Sequence, residues 1–192
     1  EELIDQVPHW VFPIRGVVST VSARTLALLC NCPGSMNRLV AELQRVDLDS
    51  AQAVYGCRYL RSCVLECLRL NNLVTSSFRT ACVPVRFFDG TRFPAGTQFL
   101  VLNNPLLRRP ECFENPDSFR PGRWTAEMER DHCAMMFNQG PQECPGKELS
   151  IFIIQSMVAN CLGSCGVVAG CSTLTTQSID IENVPQMINA CD

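Results

Sequence analysis

Phe137-Asn138-Gln139-Gly140-Pro141-Gln142-Glu143-Cys144-Pro145-Gly146 holds one cysteine between two glycines, with a proline directly after it. Glycine permits positive φ and close backbone approach, while proline fixes φ and removes an amide donor, so Cys144 belongs to a tight turn. The following Lys147-Glu148-Leu149-Ser150-Ile151-Phe152-Ile153-Ile154 reads as a buried helix. A cysteine just before a helix N-terminus meets free amides and the positive end of the macrodipole. Both favour thiolate, the form that ligates metal. Phe137 offers a flat apolar face beside a planar ligand. The plainer reading is a structural cysteine in a Gly/Pro loop.

The pattern Phe-x-x-Gly-x-x-x-Cys-x-Gly resembles the haem-ligand loop of the cytochrome P450 family. The resemblance implies haem b as cofactor and Cys144 as the axial iron ligand, donating electron density that favours O–O cleavage. It also implies that Phe137, Gly140, Gln142 and Gly146 line or shape the cofactor loop.

Two further motifs stand in the same order. Glu66-Cys67-Leu68-Arg69 places opposite charges at i, i+3 among apolar neighbours, and Phe119-Arg120-Pro121-Gly122-Arg123-Trp124 brings a second arginine. On a solvated helix such a pair is commonplace; buried, it is costly unless further partners complete it. The framework resembles the family's structural triad, which implies that Glu66, Arg69 and Arg123 fix the segment beneath the haem. Arg79 matches the family position that binds a haem propionate, a role suited to a planar, bidentate guanidinium. Its independent reading is a surface charge beside a strand.

The resemblance implies a mainly α fold with small β-sheets (α+β), the C-terminal half of the cytochrome P450 fold, as one partial domain over 1–192. Its parts are the distal helix to the Glu-x-x-Arg helices over 1–70, a β region over 71–104, a meander over 105–136, the Cys loop and following helix over 137–165, and C-terminal strands over 166–192. Locally, 1–29 reads as a long helix disturbed by Pro8 and Pro13. Ser35 is the expected N-cap of a helix from Met36 to Val46, and Ala51 to Leu70 carries one helical period ended by Asn71 and Asn72. Thr80 to Phe88 reads as strand, Asp89-Gly90 as a hairpin turn, and Thr91–Phe93 and Thr97–Leu102 as returning strands about the turn Pro94-Ala95-Gly96. Val184 to Asn189 resembles the family's final strand pair.

The match also fails in places. The chain begins where the family's central distal helix would begin, so the helices covering the distal face are expected elsewhere. The family carries an acid–alcohol pair on that helix. Ile14-Arg15-Gly16-Val17-Val18-Ser19-Thr20 has no carboxylate in either register, leaving only the hydroxyls of Ser19 and Thr20. Gln142 stands where a basic residue usually pairs with a propionate, and Leu107 to Glu111 lacks a histidine common in that segment.

Composition sets the outer limits. The 192 residues carry a net charge of −3, which gives no electrostatic case for nucleic acid. Charged residues are 18%, below the roughly 25% of ordinary soluble domains, so the chain has much to bury. Thirteen cysteines form no disulfide framework, and with no secretory signal at the start an intracellular, reducing compartment with mostly free thiols is expected. Zinc is disfavoured: no Cys-x-x-Cys occurs, His9 and His132 lack partners, and neither Cys30-x-Cys32 nor Cys161…Cys165…Cys171 has zinc spacing. Cys57, Cys63 and Cys67 read as small buried residues. The apolar run Leu149–Leu162 is about 14 residues, short of the roughly 20 that cross a bilayer.

Two functions follow. One is a haem-thiolate monooxygenase, or a peroxide-using or peroxide-rearranging relative, acting on a small apolar substrate and served by a redox partner. The other is a degenerate half-domain with a structural or assembly role, covered by a partner chain or a separate N-terminal half.

Overall fold

In the computed structural model, residues 2–165 are described, and the expected strands over 166–192 lie outside them. Helix α1 (Glu2–Asn31) runs through both Pro8 and Pro13. Its first half carries exposed apolar side chains (Ile4, Trp10, Val11, Phe12), whereas from Val18 to Leu29 it is largely buried. The helix therefore has one half built for a core and one half without a covering layer among the described residues.

Helix α2 (Pro33–Leu43) begins two residues before the Ser35 cap expected from sequence. Proline wins the boundary because its missing N–H is an orphan at the first helical position anyway, and its fixed φ suits the turn. The expected helix from Ala51 to Leu70 is two helices, α3 (Ala51–Tyr55) and α4 (Arg58–Leu70). Ser50 caps α3 by accepting from the Ala53 amide. Gly56 and Cys57 then break the run, and their junction is held from across the core. Gln155 Nε2 donates to the carbonyls of Val54 (3.3 Å) and Cys57 (3.1 Å).

Helix α4 is the axis of the core, buried on all sides from Cys63 to Leu70. Helix α6 (Lys147–Ser164) packs across α1, α3 and α4. Gly163 permits one close approach, since a Cβ there would lie 3.0 Å from Leu48 Cδ1. No helix among the described residues is long and apolar enough to cross a membrane.

The β region is two separate ribbons. Strand β1 (Ser76–Thr80) pairs antiparallel with β4 (Gln98–Leu102), with Phe78 opposite Leu100. Strand β2 (Val85–Arg86) pairs with β3 (Arg92–Phe93). The single strand expected over Thr80–Phe88 is thus corrected: Pro84 has no amide to give a ladder, and pairing stops on either side of it. The Asp89-Gly90 turn is as expected, with Gly90 at φ +90° and Asp89 Oδ1 accepting from the Thr91 amide. A short helix α5 (Asn103–Leu106) leads into a meander of turns and 3₁₀ segments. Cys112 and Cys133 are disulfide-bonded across that meander, a pairing not singled out from sequence.

Candidate functional site

The Cys144 loop is closed at both ends by backbone hydrogen bonds. The Cys144 amide donates to the Phe137 carbonyl (2.9 Å), and the Lys147 amide to the Cys144 carbonyl (3.2 Å). Gly140 opens the 3₁₀ turn Gly140–Gln142 at φ +70°, a conformation that only glycine adopts without strain. Gly146 is the N-cap of α6 and gives its amides no side-chain partner. A Cβ on Gly146 would lie 3.9 Å from Cys144 Sγ, so the thiol sits against the first turn of α6. Cys144 is free and half-buried; Phe137 is half-buried against the core; Gln142 is exposed.

Three further free thiols lie at the start of α4 or on it: Cys57 at its N-cap, Cys63 and Cys67. Burial, then nearby Glu42, pushes Cys57 up to about 11, and burial pushes Cys67 up to about 12. Burial likewise raises Cys63. These thiols stay protonated, and a protonated thiol does not ligate metal.

Glu66, Arg69 and Arg123 are brought together. Glu66 has no exposed surface and accepts from Arg69 Nε (3.0 Å), Arg69 Nη2 (2.9 Å) and Arg123 Nε (3.1 Å). Trp124 Nε1 (2.9 Å) and the Arg120 amide (3.0 Å) complete the carboxylate. Arg69 passes on to the carbonyls of Leu107, Pro116 and Ser118, and Arg123 to those of Glu114 and Asn115. Phe113 lies beneath both guanidiniums, 4.9 Å from Arg69 Cζ and 6.0 Å from Arg123 Cζ. Burial, despite its ion pair with Glu66, holds Arg123 below the ordinary arginine value. This network fastens the meander onto α4. Trp124 and Phe113 were not singled out from sequence, although Trp124 is the direct neighbour of Arg123.

A second anchor was also missed. Arg61 bridges Glu129 (2.7 Å) of the meander and Glu148 (2.8 Å) in the first turn of α6. Burial alone would lower Arg61, yet its hydrogen bonds to Glu148 and Glu129 hold it above the usual arginine value.

The remaining expected residues lie apart from this frame. Arg79, half-buried on β1, donates to the Phe78 carbonyl (2.8 Å) and makes no ion pair among the described residues. Ser19 is exposed on α1 and donates to the Arg15 (2.8 Å) and Gly16 (3.3 Å) carbonyls; Thr20 is half-buried. A cleft of ≈ 440 Å³ is lined by Arg38, Glu42, Cys57 and Tyr59 among others, and by none of the expected site residues. Its groups are already engaged, because Glu42 caps α4 and Arg38 lies 4.2 Å from the Tyr59 ring centroid.

The Cytochrome P450 family model matches residues 17–171. Cytochrome P450 4d2 of Drosophila melanogaster is 29% identical over 172 residues, covering 84% of this chain and 34% of that protein. Sesterfisheric acid synthase of Neosartorya fischeri is 29% identical over 134 residues, covering 64% of this chain and 24% of that protein. A Melia azedarach protein, (21S)-21-acetyl-1-hydroxy-apo-melianone synthase CYP88A164, is 38% identical over 100 residues, covering 50% of this chain and 20% of that protein. The chain thus spans about a fifth to a third of the length of the curated relatives it matches.

Proposed function

The chain belongs to the cytochrome P450 family, and from that premise we propose that it is the thiolate-bearing part of a haem-dependent oxidoreductase. Cys144 would supply the thiolate that holds the haem iron. The observation that carries it is the free, half-buried thiol set against the uncapped first turn of α6, in a loop closed by the Phe137 carbonyl. The chemistry of the donor set fits haem b: a thiol at Cys144, the apolar Phe137 in the same loop, and elsewhere on β1 the Arg79 guanidinium, without a carboxylate partner among the described residues. A carboxylate such as a propionate suits that guanidinium. Gln142 adds a hydrogen-bonding side chain without charge.

When bound, haem supplies the redox chemistry of its iron. The chain's own part is to hold the thiolate at one geometry and to surround it with fixed backbone. Ser19 donates its hydroxyl proton to its own helix, and Thr20 would be the other hydroxyl on α1 able to hold a proton. Neither has a carboxylate neighbour between Gly16 and Thr20 to resupply it, which favours a peroxide-using or peroxide-rearranging relative over an ordinary monooxygenase. The substrate is a small apolar molecule, and a redox partner supplies electrons where oxygen is the oxidant. Further polypeptide covers the distal face.

The second reading, a structural or assembly half-domain, is favoured by the exposed apolar side chains of α1, with Phe12 88% exposed. A surface of that kind is normally covered by a partner. Absorbance separates the two. After expression with added haem, the reduced, carbon monoxide-bound protein is expected to show a strongly red-shifted Soret band that Cys144→Ser loses. Failure to bind haem overturns the enzyme reading for this chain alone, and light scattering then reports whether a co-purifying partner covers it.

A further inference from the structure

The meander holds a cluster that the haem reading does not use. The Cys112–Cys133 disulfide closes a sequence separation of 21 residues. Its inner sulfur, on Cys133, lies 3.6 Å from His132 Nε2. His132 Nδ1 in turn lies 3.2 Å from Asp131 Oδ1, and the imidazole side chain is 88% exposed. A sulfur, an imidazole and a carboxylate are thus aligned with an open face to solvent. That is the arrangement by which an imidazole, oriented by a carboxylate, gives a proton to a sulfur or takes one from it.

The same residues are tied to the Cys144 loop. Asp131 Oδ1 accepts from the Cys133 amide (2.8 Å), and the Asp131 carbonyl accepts from Gln139 Nε2 (2.6 Å). Gln139 precedes Gly140, and Phe137 receives the Cys144 amide. At the other end, Cys112 precedes Phe113, which lies beneath the Arg69 and Arg123 guanidiniums. The disulfide therefore joins the fixed end of the meander to the segment that enters the Cys144 loop.

We propose that Cys112–Cys133 is a reversible thiol–disulfide exchange site, opened by a dithiol with His132 as its acid–base group, and that its state sets how firmly the Cys144 loop is held. A thiolate of the dithiol attacks the half-exposed Cys112 sulfur, forming a mixed disulfide and breaking the protein S–S bond. Cys133 leaves as thiolate and takes a proton through His132. The second thiol of the dithiol then attacks the mixed disulfide and releases Cys112 as a thiol. The net change is protein disulfide plus dithiol to two protein thiols plus the cyclic disulfide, with two electrons and two protons transferred. A stabilised leaving thiolate speeds this exchange. The proposal stands on the disulfide and its hydrogen bonds, and holds whether or not Cys144 binds iron.

The full chain, purified without reductant and alkylated after unfolding, is expected to yield a cross-linked peptide pair joining Cys112 to Cys133. On addition of dithiothreitol to the folded protein, the bond opens, and His132→Ala slows that opening by roughly a hundredfold, the low end of general acid–base effects. Opening is expected to raise the rate at which iodoacetamide alkylates Cys144 several-fold, read by peptide mass spectrometry. Cys112→Ser should show the fast Cys144 rate without reductant. Separate alkylation of Cys112 and Cys133 before reduction overturns the proposal. So does an opening rate unchanged in His132→Ala, or a Cys144 rate unchanged by opening. Because His132 is exposed, its substitution leaves folding intact, and the wild-type comparison with and without dithiol decides the matter even if Cys112→Ser does not fold.

Discussion

Glu66 is a carboxylate with no solvent contact, and its desolvation is offset only because each oxygen is met by donors. Oε1 receives Arg69 Nη2, Arg123 Nε and the Arg120 amide, while Oε2 receives Arg69 Nε and Trp124 Nε1. Replacing it by Gln removes the charge and turns one oxygen into a donor facing donors. Arg69, with 1% of its surface exposed, would keep a buried charge with no counter-ion. Glu66→Gln is therefore expected to cost about 3–5 kcal/mol, the range for breaking a buried pair at one partner. Trp124→Phe removes one hydrogen bond to a charged group and is expected to cost about 1.5–3 kcal/mol. Urea midpoints at unchanged m-value measure both. Equal losses for the two variants would show that the charge is not what organises the site.

At the scale of elements, α4 begins without a cap of its own. Cys57 occupies the N-cap position and makes no side-chain cap bond. The orphan amides of Tyr59 and Leu60 are met instead by Glu42 of α2, through Oε1 and Oε2 at 2.9 Å each. A carboxylate there satisfies two donors and complements the helix dipole, so one side chain both starts α4 and docks α2 on it. Glu42→Ala is expected to lower stability by about 1–2 kcal/mol, seen as a lower thermal midpoint, and Asp introduced at position 57 as a local cap should restore part of it. No recovery in the double variant would mean that Glu42 acts through packing of α2 alone. Arg61 plays the corresponding part between α4, the meander and α6. Two charge networks thus issue from α4, one to the meander at 107–124 and one to Glu129 and the first turn of α6.

The whole molecule shows what the sequence could disclose and what it could not. Glu66, Arg69 and Arg123 were legible as one group because side-chain identity and spacing announce a buried charge that needs partners. The carbonyls of Leu107, Pro116 and Ser118 that finish Arg69 were not, because a backbone acceptor has no residue code. The break at Gly56 was hidden by an apolar period that continues across it, and the Gln155 side chain that holds the break lies about a hundred residues away in the chain, beyond the reach of any local pattern. The thiols of α4 were read correctly as core, and their burial has a consequence for the entire fold. Cys57 and Cys67 hold their protons up to about 11 and about 12, against an ordinary 9.0. Below pH 9.0 the folded and unfolded chains both keep these protons, and the stabilising preference is fully present. Above it the unfolded chain releases them first, so stability falls as pH rises through the raised folded values. Urea unfolding is expected to show a midpoint that is lower at about pH 10 than at neutral pH, and Cys67→Ala should reduce that difference. A pH slope unchanged in Cys67→Ala would assign the alkaline loss to other groups and leave the α4 thiols as simple packing.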